Sequence, residues 1–319
     1  MSAQAQPSGT GSVDVSAACQ PDIGAGRVAD EPALLELRGA TLSRGAAHLV
    51  ENLNLQIRRG QVWTVLGENG AGKSSLLAAM VDYLPLSAGD VLLLGKPLRQ
   101  FSSMARARLL SWLPQHEPDT LSVTVLERVM LARHPFVDSF FRDEQNDVDA
   151  AEFALADVGL AGYENRFVRQ LSGGERRRVS LAACLAQTTP LLLLDEPLSA
   201  LDLRHQQLLV SRFRQLAEQG AAVVWITHDP NQALIGSTHV LLLMGEGRYV
   251  AGSVEEVLNA RLLSEAYRTE VRELDADGTR FFYIPPALPR SGAGDAALSD
   301  AVSASPSDHS AVAPERPTS

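Results

Sequence analysis

The run Gly67-Glu68-Asn69-Gly70-Ala71-Gly72-Lys73-Ser74 carries chemistry in its residue types and spacing. Glycines without Cβ atoms let successive backbone N–H groups curl around phosphate oxygens. A helix starting at the end of such a run would add its partial positive charge to the same spot. Lys73 supplies a cation for β- and γ-phosphates, and the Ser74 hydroxyl supplies a ligand for Mg²⁺. The pattern is G-x-x-x-x-G-K-[ST], the Walker A phosphate loop, and the nucleotide-contacting stretch it predicts runs from Gly67 to Ser75. A chance match arises about once in 100 chains of this length. The chain has only two lysines, Lys73 and Lys96, which makes an accident rarer still.

Two further groups have the right types for the same chemistry. Leu191-Leu192-Leu193-Leu194-Asp195-Glu196 reads as a buried strand that delivers two acids at its C-terminal end, where open α/β sheets bind ligands. Asp195 is the expected Mg²⁺ partner through water, and Glu196 is placed to polarise the water that attacks a γ-phosphate. Leu171-Ser172-Gly173-Gly174-Glu175 reads as a helix start, with Ser172 as N-cap and Glu175 completing a capping box. A cap needs no second glycine. Ser172, Gly173 and Gly174 therefore look like a second anion site, in a chain with one phosphate loop and no internal repeat.

These groups need elements to hold them. Gln61 to Leu66 reads as a buried strand ahead of the loop, and Ser74 to Met80 as a helix behind it, ending near Asp82. Leu34 to Leu37, Leu53 to Ile57 and Val91 to Leu94 read as strands, and the second alternates like an antiparallel strand with one buried face. Ser102 to Thr188 reads as mostly helical, with helices at Val123 to Ala132, Asp143 to Ala156 and from Gly173 onward. Leu191 to Leu194, Ala222 to Ile226 and Val240 to Leu243 are apolar runs typical of strands covered on both faces, and Arg204 to Gln219 is a helix between them. The expected fold is α/β: a P-loop NTPase, RecA-like core with a mostly parallel sheet, an antiparallel β flank and a helical insertion at about 99–188.

Composition narrows the classes. A formal charge of −10 and a pI near 5.2 argue against a nucleic-acid binder. Cys19 and Cys184 make no disulfide framework and suit a reducing compartment. No run of 18 apolar residues occurs, and the first 30 residues lack a signal-peptide pattern. Residues 1–32 and 291–319, rich in Ser, Ala, Gly and Pro, are expected to be disordered tails around a domain at 33–290.

Taken together, these motifs resemble the ATP-binding cassette (ABC) ATPases, whose signature Leu171 to Glu175 matches. The resemblance covers about Leu34 to His239, with the motifs in the family's order. It implies ATP and Mg²⁺ as cofactors and a head-to-tail pair of chains, in which Ser172 and Gly174 of one touch the ATP held by Lys73 of the other. It implies that Gln115, in Trp112-Leu113-Pro114-Gln115, reaches the metal and attacking water. Asp202, in Ser199-Ala200-Leu201-Asp202, resembles the D-loop at the dimer interface, and His228 the switch histidine that contacts the γ-phosphate. The family usually has an aromatic residue that stacks on adenine; Arg44 stands there instead, and either its guanidinium plane stacks on the base or it is a simple solvated arginine.

Three jobs fit such an ATPase: the engine of a membrane transporter, a soluble ABC protein acting on ribosomes or DNA, or a module that binds ATP without turnover. Glu196, Gln115 and His228 disfavour the last. A single cassette without a long coiled-coil insertion disfavours the second. Leu113 to His116, Thr124-Val125 and Ala132-Arg133-His134-Pro135 resemble the ATPases of importers for iron-siderophores, haem and vitamin B12. That resemblance implies permease subunits as partners, indirectly an extracytoplasmic substrate-binding protein, and a peripheral place on the cytoplasmic face of the inner membrane. An ABC transporter for another substrate, or a soluble ABC ATPase, is the alternative.

Overall fold

The computed structural model describes residues 32–45, 47–115, 122–136 and 144–286, beginning with the antiparallel pair β1 (Leu35–Arg44) and β2 (Ala47–Ile57). Along Leu53 to Ile57 burial alternates strictly, so one face of this pair enters the core. Strand β3 (Val62–Gly67) is buried throughout and runs into helix α1 (Lys73–Met80). Strands β4 (Ala88–Leu93) and β5 (Lys96–Pro97) then return to the first pair, giving an antiparallel sheet in the order β2-β1-β4-β5.

Helix α2 (Ser103–Leu109), capped by Ser102, leads into β6 (Leu110–Leu113). This strand lies inside the stretch expected to be mostly helical. Its four residues are too short to show a period, and what makes them a strand is parallel pairing with the run Leu191 to Leu194. The helical part proper comprises α3 (Val125–Leu131), α4 (Glu144–Asp157) and α5 (Gly173–Ala186). Thr124 and Glu127 form a full capping box at the start of α3. Arg133 ties the end of α3 to its neighbours, donating to Asp147 Oδ1 on α4 (2.8 Å), and to Ala186 O (2.9 Å) and Thr188 Oγ1 (3.0 Å) after α5.

The chain then alternates as β7 (Leu191–Leu194), α6 (Leu203–Glu218), β8 (Ala222–Ile226), α7 (Pro230–Gly236), β9 (His239–Gly245) and β10 (Arg248–Ser253). The second sheet has the order β10-β9-β3-β8-β7-β6, parallel except for the edge strand β10. Every residue of β7 and β8 is buried because helices cover one face and the antiparallel sheet with α1 covers the other. Each such leucine contributes about 1.5–3 kcal/mol by leaving water. Short helices α8 (Val254–Val257) and α9 (Ala260–Tyr267) pack on β9, and the hairpin β11 (Arg272–Ala276) and β12 (Thr279–Tyr283) follows.

Beyond Ile284 only Pro285 and Pro286 are described. The two expected tails lie outside the described residues except for Pro32, as do Cys19 and His116. Cys184 is buried in α5. Among the described residues no helix is long and apolar enough to cross a membrane.

Candidate nucleotide site

Strand β3 ends in the phosphate loop because the backbone there takes conformations that only glycine adopts cheaply. Gly67, Gly70 and Gly72 have φ of 143°, 86° and 99°. Space excludes a side chain as well: a Cβ on Gly67 would lie 2.7 Å from Leu243 O, and one on Gly72 2.8 Å from the Leu49 Cβ. The loop is thus pinned between β9 and β2. Lys73, only 7% exposed, folds back so that its ammonium donates to Gly67 O at 2.7 Å and Glu68 O at 2.9 Å. Burial pushes the Lys73 pKa down, and the carboxylates of Glu196 and Asp195 oppose that shift. Ser74 and Ser75 follow in the first turn of α1.

Asp195 stands at the C-terminal end of β7, 2% exposed, with its N–H donating to Leu113 O at 2.9 Å. Burial raises its pKa; a hydrogen bond from the Ser74 side chain opposes this, Glu196 adds to it, and Arg177 and Lys73 oppose it. Its Oδ1 is buried with no hydrogen-bond partner among the described residues. Such an orphan is costly unless a cation or water takes it. A carboxylate oxygen left over beside a serine hydroxyl fits Mg²⁺, whose remaining ligands come from water and phosphate. Among the described residues no cluster of three His, Cys, Asp or Glu side chains that could hold a metal ion occurs.

Glu196 has φ of +48°, a left-handed conformation that is uncommon for a residue with a side chain. Ser199 holds it there, its N–H (3.3 Å) and hydroxyl (2.9 Å) both donating to Glu196 O. The turn aims the Glu196 side chain into a cleft of about 590 Å³, lined by Gly67, Glu68, Asn69, Glu196, His228 and Tyr267. The start of the phosphate loop, the acid after β7 and the histidine after β8 therefore converge, although up to 161 residues separate them in sequence (67 to 228). All three lie at C-terminal strand ends of the parallel sheet, as ligands in such sheets require.

Gln115 comes two residues after the end of β6, exposed at the edge of the described residues. Its neighbour Pro114 is held by Arg177 on α5, which donates to Pro114 O and also to Asp195 O. One guanidinium therefore joins the segment before Gln115, the end of β7 and the helix that Ser172 caps. Ser172 receives Glu175 N–H at 3.3 Å, while Glu175 Oε2 accepts from Ser172 N and Oγ at 2.8 Å each, so the expected capping box is present. Those bonds hold the Glu175 carboxyl below its ordinary pKa.

Ser172, Gly173 and Gly174 do not line the cleft of their own chain, and neither do Gln115 and Asp202. The two glycines are exposed, and a Cβ on Gly173 would meet nothing within 4 Å. Asp202 caps α6, accepting from His205 N at 2.9 Å and Nδ1 at 2.8 Å, which keeps its carboxyl below the usual pKa. Arg44 is exposed at the end of β1, opposite Ala47.

Tyr267 escaped the sequence reading. The Gly67 N–H bonds to its hydroxyl, which in turn donates to His228 O at 3.5 Å, and burial pushes its pKa up to about 12. It stands alone at a helix end far from every motif, so no sequence signal marks it. Arg177 had a signal, the run Arg176-Arg177-Arg178, but successive helical residues point about 100° apart and only the fold says which one turns inward.

Comparison with known proteins shows which family the chain resembles. The family model described as ABC transporter matches residues 50–199. The hemin import ATP-binding protein HmuV of Pseudomonas entomophila (strain L48) is 40% identical over 243 residues, 75% of this chain and 94% of that protein. The petrobactin import ATP-binding protein FpuC of Bacillus anthracis is 35% identical over 244 residues, 76% of this chain and 89% of that protein. Among solved structures, a chain of an inward-facing ABC transporter assigned to the metal-chelate type superposes with a TM-score of 0.65 at 26% identity, over 80% of this chain and 98% of that one. The dimeric bacterial ABC transporter cassette MJ0796 superposes with a TM-score of 0.62 at 25% identity, over 69% of this chain and 98% of that one.

Proposed function

This chain belongs to the ABC transporter family, and from that premise we propose that it is the ATP-hydrolysing, nucleotide-binding subunit that energises an importer of haem or an iron chelate. Vitamin B12 is the alternative cargo within the same transporter class. The observation that carries the enzymatic reading is the shared cleft, in which the loop bearing Lys73 faces Glu196 and His228. The cargo rests on the relatives, whose names specify hemin and petrobactin import.

In this reading the backbone N–H groups from Glu68 to Ser74 and the Lys73 ammonium bind the phosphates of ATP. Ser74 and Asp195 would hold Mg²⁺, with Gln115 reaching toward it, and the ion would supply neutralisation of charge on the transferring phosphoryl group. Glu196 polarises the attacking water, and His228 contacts the γ-phosphate. The left-handed turn at Glu196 is consistent with strain kept at a working position.

The site is completed by a second copy. Neither Gly173 nor Gly174 has a positive φ, and a Cβ would meet nothing within 4 Å at Gly173 and only the Ala200 Cβ, at 4.0 Å, at Gly174, so their own chain makes no demand for glycine there. An ATP held by the partner would use that space, with Ser172, Gly173, Gly174 and Asp202 arriving across the interface. Closing the dimer on two ATP molecules then shifts the permease toward its alternate state, and hydrolysis resets it. The domain spans about 33–290, with the helical insertion around 99–188 receiving the permease near Gln115. Arg44 takes the adenine side, and the assembly sits peripherally on the cytoplasmic face of the inner membrane, its extracytoplasmic binding protein on the other.

The test is affinity purification of the chain from native membranes. Recovery of a multi-span membrane subunit is expected, together with loss of growth on haem or an iron chelate as sole iron source when the gene is removed. Ribosomal or DNA partners in place of the membrane subunit would overturn the transporter reading.

A further inference from the structure

Two glutamines outside every motif join the loop carrying Asp202 to the loop carrying His228. Gln206, in the second turn of α6, donates from one Nε2 to Leu198 O at 3.2 Å and Leu201 O at 3.1 Å. Those carbonyls belong to the turn that also holds Glu196 through Ser199, and Leu201 N donates to Leu198 O at 3.1 Å. Gln206 Oε1 accepts from Gln232 Nε2 on α7 at 3.4 Å. Gln232 Oε1 accepts from the Thr227 hydroxyl at 2.7 Å, and Thr227 Oγ1 accepts from Asp229 N at 3.2 Å. Thr227 and Asp229 flank His228.

The chain of bonds has one direction. At one end stand two backbone carbonyls, which only accept; at the other stands a backbone N–H, which only donates. Flipping either amide would set oxygen against oxygen or nitrogen against a hydroxyl already committed, so both side chains are held in a single orientation. Thr227 is 4% exposed, and both glutamines are half-buried, so water competes weakly for these bonds. Meanwhile the His228 side chain is exposed in the cleft and its carbonyl is held from the other side by Tyr267. The histidine's backbone is thereby fixed from two directions, one of which leads to the turn between Glu196 and Asp202.

We propose that Gln206 and Gln232 are positioning residues that couple the Leu198 to Asp202 turn to the His228 loop, so that a second copy pressing on that turn sets the histidine for hydrolysis. This rests on reading the cleft as an ATP-hydrolysing site completed by a second copy. It adds to that reading a physical path between the dimer contact and the reacting end, made of one acceptor–donor sequence.

The experiment uses the full chain and four proteins: wild type, Gln206→Met, Gln232→Met and the double variant. Methionine keeps the length and removes both hydrogen-bonding functions. Steady-state ATPase kinetics, ATP-driven dimerisation by light scattering, and Tm are measured for each. Each single variant is expected to lose about tenfold in kcat, with KM for ATP within about twofold and ATP-driven dimerisation retained. The double variant is expected to be no slower than the slower single one, because cutting a relay twice costs what cutting it once costs. Unchanged kcat, multiplicative losses in the double variant, or losses that follow Tm and vanish on cooling would overturn the relay while leaving the hydrolytic reading intact. A wild-type chain with neither turnover nor ATP-driven dimerisation would overturn the reading itself and the relay with it.

Discussion

Arg133 meets Asp147 in an ion pair inside the helical part, with Nε and Nη2 both 2.8 Å from the same carboxylate oxygen. The side chains are only 14% and 11% exposed, and the same guanidinium reaches Ala186 O and Thr188 Oγ1. Arg133 belongs to the Ala132 to Pro135 stretch that marked a subfamily resemblance; its work here is to join α3, α4 and the end of α5. Removing one partner leaves the other charged and buried. Arg133→Met should cost about 3–5 kcal/mol, a fall of roughly 10 °C in Tm. The double variant Arg133→Met, Asp147→Leu should recover at least about half of that, and a single variant with wild-type Tm would refute the pair's importance.

Glu196→Gln keeps the shape of the side chain and removes the carboxylate proposed as the base. Turnover should fall about 100-fold or more, while ATP binding is kept. Hydrolysis at the wild-type rate, measured by phosphate release, would remove Glu196 from its role.

Asp195 combines a stability cost with a proposed role in holding Mg²⁺. Burial raises its pKa from the ordinary Asp value, so folding disfavours the ionised form relative to water. The contribution to stability is therefore present below the unfolded pKa of about 3.9 and is lost as pH rises through the raised folded value. At neutral pH the ionised group, with its orphan Oδ1, works against folding. Asp195→Asn should raise stability by of order 1 kcal/mol in Mg²⁺-free buffer, and should abolish Mg²⁺-dependent ATP hydrolysis. Calorimetry that found the variant less stable without metal would contradict the account.

Tyr267 has the opposite experimental window. With its pKa pushed up to about 12, the folded state keeps the phenol protonated where the unfolded chain, at about 10, has lost the proton. Stability from this group is complete below pH 10 and disappears as pH rises to 12, at most about 2–3 kcal/mol in all. Alkaline unfolding followed by fluorescence should therefore be less steep in Tyr267→Phe than in wild type. Because the hydroxyl joins Gly67 N to His228 O, the same variant should lower kcat several-fold, with a smaller change in ATP affinity. Identical alkaline transitions in the two proteins would count against the raised phenol pKa.

Local signals made much of the site legible. The phosphate loop announces itself because the glycine angles and the Lys73 reach are properties of eight adjacent residues. Leu191 to Leu194 and Ala222 to Ile226 read as buried strands because a strand covered on both faces has no polar alternation to keep. The capping box at Ser172 and Glu175 closes within one helical turn. Strand β6 was hidden for the complementary reason: nothing within Leu110 to Leu113 distinguishes it from helix until β7 lies alongside.

What the amino-acid sequence determined by itself is thus whatever depends on neighbours in the chain: the loop that binds phosphate, the order of strands and helices, the two acids after β7 and the capped helix start. Tertiary structure alone decided which distant groups meet. It put Tyr267 between Gly67 and His228, turned Arg177 rather than its neighbours toward Pro114 and Asp195, left Asp195 Oδ1 without a hydrogen-bond partner among the described residues, and lined up Gln206 and Gln232. The physical reason is range. Backbone conformation and capping are set over one to five residues, whereas side-chain hydrogen bonds and burial depend on how separate elements pack, and no local pattern encodes that packing.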